Sequence, residues 1–364
     1  MTKAVYIHIP YCRRICTYCD FCKFIYNGGV SEYLEKLDKE IITRYKGEAV
    51  SSLYIGGGTP SCLTLEELKK LFKIVSKFNL MDGYEFTIEA NPEDINMDKV
   101  LLFKESNVNR VSLGVQSFNK DILSTLGRGH DKSKVYSAVK LLKEVNINNI
   151  NIDLMYAVED DIDIVKEDLI DFINLDIPHI SYYSLIIEDN TILSINGKES
   201  INEEIDYSMY SYIENFLENS GYNHYEISNY ARDGYESIHN KTYWDNGWYY
   251  GFGCGSVSYI DNRRIINTKN LTKYLKNEFI YDIINEEEDT RIKSEIMLNL
   301  RTIKGLNLER FKEKYNRDFL EIYDISDLIK DELLIVSDNY LRINKRYLYV
   351  SNEIILRIYD HIKE

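Results

Sequence analysis

The chain has 364 residues, too many for one ordinary hydrophobic core and too few for a multi-domain scaffold, so one large domain plus a small one, or two medium domains, is expected. Hydrophobic residues make up 44% and charged residues 28%, the balance of a soluble globular chain, which excludes wholesale disorder. Forty-four basic against 59 acidic residues give a net charge of −15, and with no long Lys/Arg run such a chain repels phosphate backbones, so no nucleic acid partner is expected.

Met1-Thr2-Lys3 leads into Ala4-Val5-Tyr6-Ile7-His8-Ile9-Pro10, a strand pattern without the basic start, apolar run or small-residue cleavage site of an export signal. No apolar stretch approaches the roughly 20 residues of a membrane-spanning helix. A cytoplasmic chain is therefore expected, peripheral at a membrane at most. Apolar residues at helical spacing (Tyr33, Leu34, Leu37, Ile41) predict a helix over Val30–Arg44. Val50–Ile55 reads as a second strand ending in Gly56-Gly57-Gly58-Thr59-Pro60, and Thr64 with Glu67 forms the capping box of the next helix. Further strands are expected at Glu85–Ala90, Val108–Val115, Ile147–Met155 and Ile180–Leu185, with helices near Met97–Glu105, Lys132–Val145 and Ile164–Asn174. Six strand–helix alternations describe parallel βα units with right-handed connections, so the expected fold is α/β, a partial (β/α)6 barrel. Reactive residues belong at the C-terminal ends of such strands. Cysteines, glycines, Glu89, Gln116 and Asp153 fall there.

Beyond about residue 200 the pattern changes to a long amphipathic helix (Glu203–Ser220), an aromatic, turn-rich stretch over 222–268, and mixed-charge helices from Asp289. Short β-type pieces are expected at Leu341–Ile343 and Tyr347–Val350. The expected division is a core over 1–235, a connecting segment over 236–285, and a small helical, winged-helix-like domain over 286–364.

Of six cysteines, Cys12, Cys16, Cys19 and Cys22 lie within eleven residues. In a reducing cytosol clustered cysteines are more often metal ligands or catalytic groups than disulfides. Cys12-x3-Cys16-x2-Cys19 places three thiolates in one short loop, able to bind three irons of a 4Fe–4S cluster and leave the fourth open to a ligand with its own nitrogen and oxygen donors; Arg13 and Arg14 would bias its charge. The competing reading is structural zinc with Cys22 as fourth thiolate, although zinc sites usually pair knuckles from two separated segments. Cys62 and Cys254 are isolated and read as small apolar residues. The triple glycine lets backbone approach a ligand closely, or is a plain tight turn.

The cysteine spacing behind Tyr6-Ile7-His8-Ile9-Pro10 and the Gly-Gly-Gly-Thr-Pro strand end do not stand alone. Glu89-Ala90-Asn91-Pro92, Gly114-Val115-Gln116-Ser117-Phe118, Leu126-Gly127-Arg128 and Asn151-Ile152-Asp153-Leu154-Met155 follow in order. With these motifs the chain closely resembles the radical S-adenosylmethionine (SAM) enzymes, and more narrowly their coproporphyrinogen III oxidase-like group. The resemblance implies a 4Fe–4S cluster on Cys12, Cys16 and Cys19 with SAM beside it. It assigns Gly56, Gly57, Gly58 and Thr59 to the SAM amino group, Glu89 to its ammonium charge, Gln116 and Asp153 to the ribose, and the fork of Arg128 to the carboxylate. Tyr6 matches a strand-one tyrosine near SAM and reads equally well as a core aromatic. One electron from the cluster, drawn from a flavodoxin- or ferredoxin-like donor, would cleave the sulfonium to methionine and a 5′-deoxyadenosyl radical, while the protein supplies orientation and a dry pocket.

Two lines of the group differ. The oxidase, which decarboxylates two propionates by radical hydrogen abstraction, has a cysteine two residues after the third ligand and a long N-terminal extension. Here that residue is Phe21, and the first ligand is already residue 12. Both features, with His239-Asn240-x2-Tyr243-Trp244, resemble the haem-chaperone line, which implies haem as cargo, His239 as the residue approaching its iron, and acceptor haem proteins such as membrane respiratory enzymes. The oxidase is the alternative. Outside the resemblance, a single histidine in a turn-rich stretch is more often a hydrogen-bonded surface or core residue. The chain also departs from the group. Ala157-Val158-Glu159-Asp160-Asp161 replaces Gly-Leu-Pro-Gly-Gln, implying a reshaped loop beside the cofactor, and Val257 stands where relatives often carry histidine. Cys22 is an extra thiol, not counted as a ligand.

Overall fold

The structure, a computed structural model, describes residues 4–362. Residues 1–3, which open the segment read as carrying no export signal, and residues 363–364 lie outside the described part. Six strands lie side by side and parallel: β1 (Ala4–Ile9), β2 (Val50–Gly57), β3 (Leu80–Ala90), β4 (Arg110–Gln116), β5 (Asn149–Tyr156) and β6 (His179–Ser184). The chain returns through α1 (Val30–Arg44), α2 (Leu65–Val75), α3 (Met97–Glu105), α4 (Lys132–Glu144) and α5 (Ile162–Leu175). Side chains alternate across a strand, so each strand has two unlike faces. Leu53, Ile55, Phe86, Ile88, Val111, Leu113, Ile150 and Ile152 share one hydrophobic cluster with helix residues such as Leu34, Leu71, Phe103 and Leu169. The intervening positions, including Ser52, Glu85, Ser112, Asn151 and Asp153, form a polar inner face. These groups pair with one another: Asn151 Nδ2 donates to Ser112 Oγ at 2.7 Å, and Ser112 Oγ donates to Asp153 at 3.2 Å. A buried polar lining survives only when satisfied in this way. It prepares the interior for a polar ligand.

The sheet is open. After α6 (Glu203–Asn219), β7 (Asn223–Glu226) and β8 (Asn229–Ala231) add an antiparallel hairpin beside β6. α7 (Ile238–Trp244) follows. On the other side β9 (Tyr249–Phe252) runs parallel to β1 and continues into antiparallel β10 (Val257–Ile260), β11 (Arg263–Asn267) and β12 (Ile280–Asn285). The stretch over 236–285 thus contributes four strands to the main sheet.

A second hydrophobic cluster, with Ile296, Leu300, Phe311, Phe319, Leu341 and Ile355, organises a small C-terminal unit. It joins α8 (Glu288–Leu300) and shorter helices to a three-stranded antiparallel sheet of Leu306–Asn307, Leu334–Ser337 and Tyr340–Ile343. Tyr347–Val350, expected as a β-type piece, lies instead in a tight helical turn, because the Asn344 side chain accepts from Arg346 N and starts a helix rather than a strand. The unit docks on the C-terminal end of α7 and the turn after it: Asn246 Nδ2 donates to Glu295 at 2.9 Å, and Asn299 Nδ2 to Trp244 O at 3.2 Å. Glu295 is buried and also takes Lys314 (2.5 Å) and Arg310 (3.2 Å). Removing a buried partner costs several kcal/mol; both cations are partly exposed, so Glu295→Ala is expected to lose about 2 kcal/mol. Chemical denaturation checks this, and a midpoint equal to the parent's would contradict it. Among the described residues no helix is long and apolar enough to cross a membrane.

Candidate functional site

Between β1 and α1 the chain leaves the sheet in a closed loop. Tyr11–Cys12 pairs in parallel with Phe24–Ile25, Phe24 N donating to Pro10 O (2.6 Å) and Tyr26 N to Cys12 O (2.8 Å). Cys12 is buried at the neck, while Cys16 and Cys19 are partly exposed. Thr17 ties the loop to the end of the helix at Lys120–Thr125, its amide donating to Leu126 O (3.2 Å) and its hydroxyl to Thr125 O (2.8 Å). Arg13 donates to Cys62 O at 3.1 Å and pairs with Asp94 at 3.0 Å. Burial pushes the Cys12 thiol up to about 11 and raises Cys19 as well, so thiolates here call for a cationic partner.

Cys22 turns away from this group. Its thiol donates to Lys269 O at 3.7 Å, whereas a closed four-thiolate zinc site would need it turned inward. Among the described residues no three His, Cys, Asp or Glu side chains converge as a single ion requires. A cubane holds each thiolate on a different iron, so its ligands stand apart around it. The donor set fits a cluster better than a lone ion.

The glycines at the end of β2 are there for their neighbours. A Cβ on Gly56 would stand 2.7 Å from the Glu89 carboxylate, on Gly57 2.5 Å from the His8 ring, and on Gly58 2.7 Å from Tyr11 O. Gly57 also holds φ at 115°. Without side chains the segment lies directly on the cluster loop, with Gly58 N donating to Ile9 O (2.9 Å), Thr59 N to Tyr11 O (2.8 Å), and the Thr59 hydroxyl to Cys12 Sγ (3.7 Å).

Around this point the inner faces of the other strands converge. Glu89 accepts from the Tyr54 hydroxyl at 2.8 Å and from Gly57 N at 3.0 Å. Burial pushes its carboxyl up to about 7, against the pull of those two bonds. Asp153, bonded by Asn151 Nδ2 at 2.8 Å, is likewise raised by burial. The Tyr6 hydroxyl meets His8 Nδ1 at 2.9 Å, and His8 Nε2 reaches Cys22 O at 2.8 Å. Gln116 sits at φ 70°, where the register between β4 and β5 shifts, a strained conformation of the kind that clusters at binding sites. Arg128 extends from beyond β4, Nη2 donating to Asn91 Oδ1 at 2.7 Å and Nη1 to Cys16 Sγ at 3.4 Å. Its Nε is buried and has no partner. An orphaned guanidinium donor beside the thiols is what a ligand carboxylate would satisfy.

The structure therefore brings Gly56–Thr59, Glu89, Gln116 and Arg128 to the strand ends beside the loop of Cys12, Cys16 and Cys19, with Tyr6 and Asp153 deeper on the inner face, within their strands. It sets His239 apart. That residue lies on α7 below β2, where its ring is buried, Nδ1 meeting Ser52 Oγ at 2.9 Å and Nε2 the Tyr243 hydroxyl at 2.8 Å. It also stacks on Tyr54 at 4.9 Å. Glu85 fixes this helix by accepting from Ile238 N (2.9 Å) and His239 N (3.1 Å). Burial, then the nearby Arg110 charge, press the imidazole down to about 3, so it is neutral. Both ring nitrogens are in use, and the expectation that His239 approaches haem iron does not agree with this position.

Asn91 and Tyr54 were not singled out from the sequence. Asn91 stands before a proline at a strand end, a polar residue aimed at the barrel mouth, and that was the available signal. The loop after β5 is held without the missing glycines: Asp161 caps α5 through Asp163 N (2.9 Å), and Glu159 pairs with Lys198 (2.9 Å). Ala157 takes φ 61°, a conformation that costs a non-glycine residue roughly 1 kcal/mol. Ala157→Gly is expected to raise the melting temperature by about 1 °C in calorimetry; a fall would show that the loop does not carry this strain.

Known proteins show the same organisation. Residues 6–173 match the family described as Radical SAM superfamily, and residues 287–347 match the HemN C-terminal domain. A protein named "Heme chaperone HemW" from Lactococcus lactis subsp. lactis (strain IL1403) is 39% identical, over 91% of this chain and 90% of its own length. That of Bacillus subtilis (strain 168) is 35% identical over 97% and 98%, and that of Escherichia coli (strain K12) 34% over 73% of each. The solved structure of coproporphyrinogen III oxidase (HemN) from Escherichia coli superposes with a TM-score of 0.84 over 98% of this chain and 89% of that one, at 21% identity, a likeness of fold. With near full-length identity of this order, the chain belongs to the HemW family of the radical SAM superfamily.

Proposed function

We propose that this chain is a haem chaperone, binding haem as cargo and passing it to acceptor haem proteins. The observation that carries the reading is the 39% identity to a protein of that name over nine-tenths of both chains. Cys12, Cys16 and Cys19 would hold a 4Fe–4S cluster, and the inner strand ends would hold SAM. Together these supply one-electron chemistry at the sulfonium. Glu89 and the backbone carbonyls of Gly56–Thr59 share the SAM ammonium, the free Nε of Arg128 receives its carboxylate, and Gln116 and Asp153 its ribose hydroxyls. Tyr6, braced by His8, closes the site from β1. A flavodoxin- or ferredoxin-like protein is the proposed electron donor, and a membrane respiratory haem protein the proposed acceptor.

Haem needs an apolar surface for its flat face. Phe21, 70% exposed on the cluster loop, and Ile195, 74% exposed on the segment whose Leu193 N donates to Thr17 O at 3.0 Å, are the exposed apolar side chains proposed to meet it. His239 then serves to seat α7 under the barrel. The testing experiment is a haem titration of anaerobically reconstituted protein with and without SAM. Saturable uptake is expected, weakened several-fold in Phe21→Ser with Ile195→Ser and unchanged in the haem absorbance of His239→Gln. Absence of saturable uptake would remove this reading.

Glu89 makes SAM affinity depend on pH. Ionised Glu89 attracts the ammonium and protonated Glu89 does not, so affinity is expected to rise as pH climbs through about 7. The linked effect on the unliganded fold has the opposite sense. A carboxyl raised from 4.5 to about 7 on folding leaves its stability contribution intact below 4.5, and that contribution is lost as pH rises toward 7. Equilibrium dialysis across this window should show a slope in the parent and a flat, weaker profile in Glu89→Gln; equal slopes would assign the dependence elsewhere.

A further inference from the structure

Two cysteines that the cofactor site does not use meet across the fold. Cys22 leaves the cluster loop, and Cys254 is buried in the Gly253–Ser256 turn between β9 and β10. Their thiols donate to consecutive carbonyls of one strand exit, Cys254 Sγ to Thr268 O at 3.1 Å and Cys22 Sγ to Lys269 O at 3.7 Å. The turn is built for this approach. A Cβ on Gly255 would stand 2.6 Å from Cys22 Cβ and 2.9 Å from its Sγ, so only glycine beside Cys254 admits the second thiol. Tyr33 holds the turn from below, its hydroxyl accepting from Cys254 N at 3.0 Å, and His8 holds the loop through Cys22 O.

We propose that Cys22 and Cys254 form a reversible disulfide that latches the cluster loop to the β9–β10 turn. A small-molecule disulfide is the oxidant. The Cys22 sulfur attacks it, releasing one small thiol and forming a mixed disulfide. The Cys254 sulfur, giving up its proton to solvent, then displaces the second small thiolate, which takes a proton in turn. Two protein thiols are oxidised by two electrons as the reagent is reduced to two thiols. The neighbouring Cys254 thiol, then His8 and the Lys269 charge, lower the Cys22 thiol and favour it as first nucleophile; Cys254, raised beside Cys22 and by burial, serves as the resolving thiol. The latch joins segments far apart in sequence and holds the loop of Cys12, Cys16 and Cys19 in register with β1 whether or not those cysteines carry metal.

The test treats reconstituted protein with glutathione disulfide, blocks remaining thiols, and maps linkages by mass spectrometry. Chymotryptic cleavage after Tyr18 and Phe21 separates Cys16, Cys19 and Cys22. The expected product is a Cys22–Cys254 crosslinked peptide, reversed by dithiothreitol, with its yield falling at least tenfold in Cys254→Ala. Because the parent protein gives the primary result, a folding defect in the variant does not obscure it. Cys22 recovered as a stable glutathione adduct, linked to Cys16 or Cys19, or unmodified would overturn the proposal.

Discussion

Replacing Cys12, Cys16 or Cys19 singly by alanine is expected to abolish stable cluster assembly, whereas Cys22→Ala leaves it intact. The contrast follows from where each sulfur points. Cys12 sits at the loop neck under the Thr59 hydroxyl, Cys16 faces Arg128, and Cys19 follows in a turn whose amide donates to Cys16 O at 3.4 Å. Cys22 faces Lys269 O and Cys254 on the other side of the loop. A cluster missing one of three protein thiolates exposes two irons, and its charge-transfer absorbance and iron content should fall to background. If Cys22→Ala lost the cluster as fully as Cys12→Ala, the three-ligand assignment would be wrong.

Arg128→Ala is expected to weaken SAM binding roughly 10- to 100-fold, the worth of a charge-assisted hydrogen bond of about 1.5–3 kcal/mol in a buried site. The Nε atom has no partner in the protein, so its bond would be gained only with ligand. Arg128→Lys should recover little, because an ammonium cannot serve Asn91, Cys16 and the ligand with one rigid fork. The readout is the SAM dissociation constant of reconstituted protein, alongside its melting temperature. Unchanged affinity in a folded Arg128→Ala protein would contradict the assignment.

How far these features could be read beforehand differed by physical type. The six parallel strands were legible because their outward positions are apolar at alternate residues, as in Val111, Leu113 and Ile150, Ile152. The cluster loop was legible because cysteine spacing is local. β9 to β12 were not, since strands of four to six residues such as Tyr249–Phe252, separated by glycine and Asn/Asp turns, carry no long alternation. Depth was the other hidden quantity. The motif around His239 marks a residue without saying that Glu85 and Ser52 draw it beneath the barrel. Nor does sequence separation show that Cys22 and Cys254, which read as one spare thiol and one apolar filler, end side by side. Such contacts depend on how the sheet folds back on β1 through β9, a long-range event with no local sign.

The central claim is that Cys12, Cys16 and Cys19 hold a cluster with one iron free for SAM. The most direct measurement is electron paramagnetic resonance of anaerobically reconstituted, dithionite-reduced protein before and after SAM addition. The account predicts a reduced 4Fe–4S signal whose shape changes on saturation with SAM, with the change lost in Arg128→Ala at the same SAM concentration. A spectrum indifferent to SAM, or protein that retains zinc and no acid-labile sulfide, would contradict it.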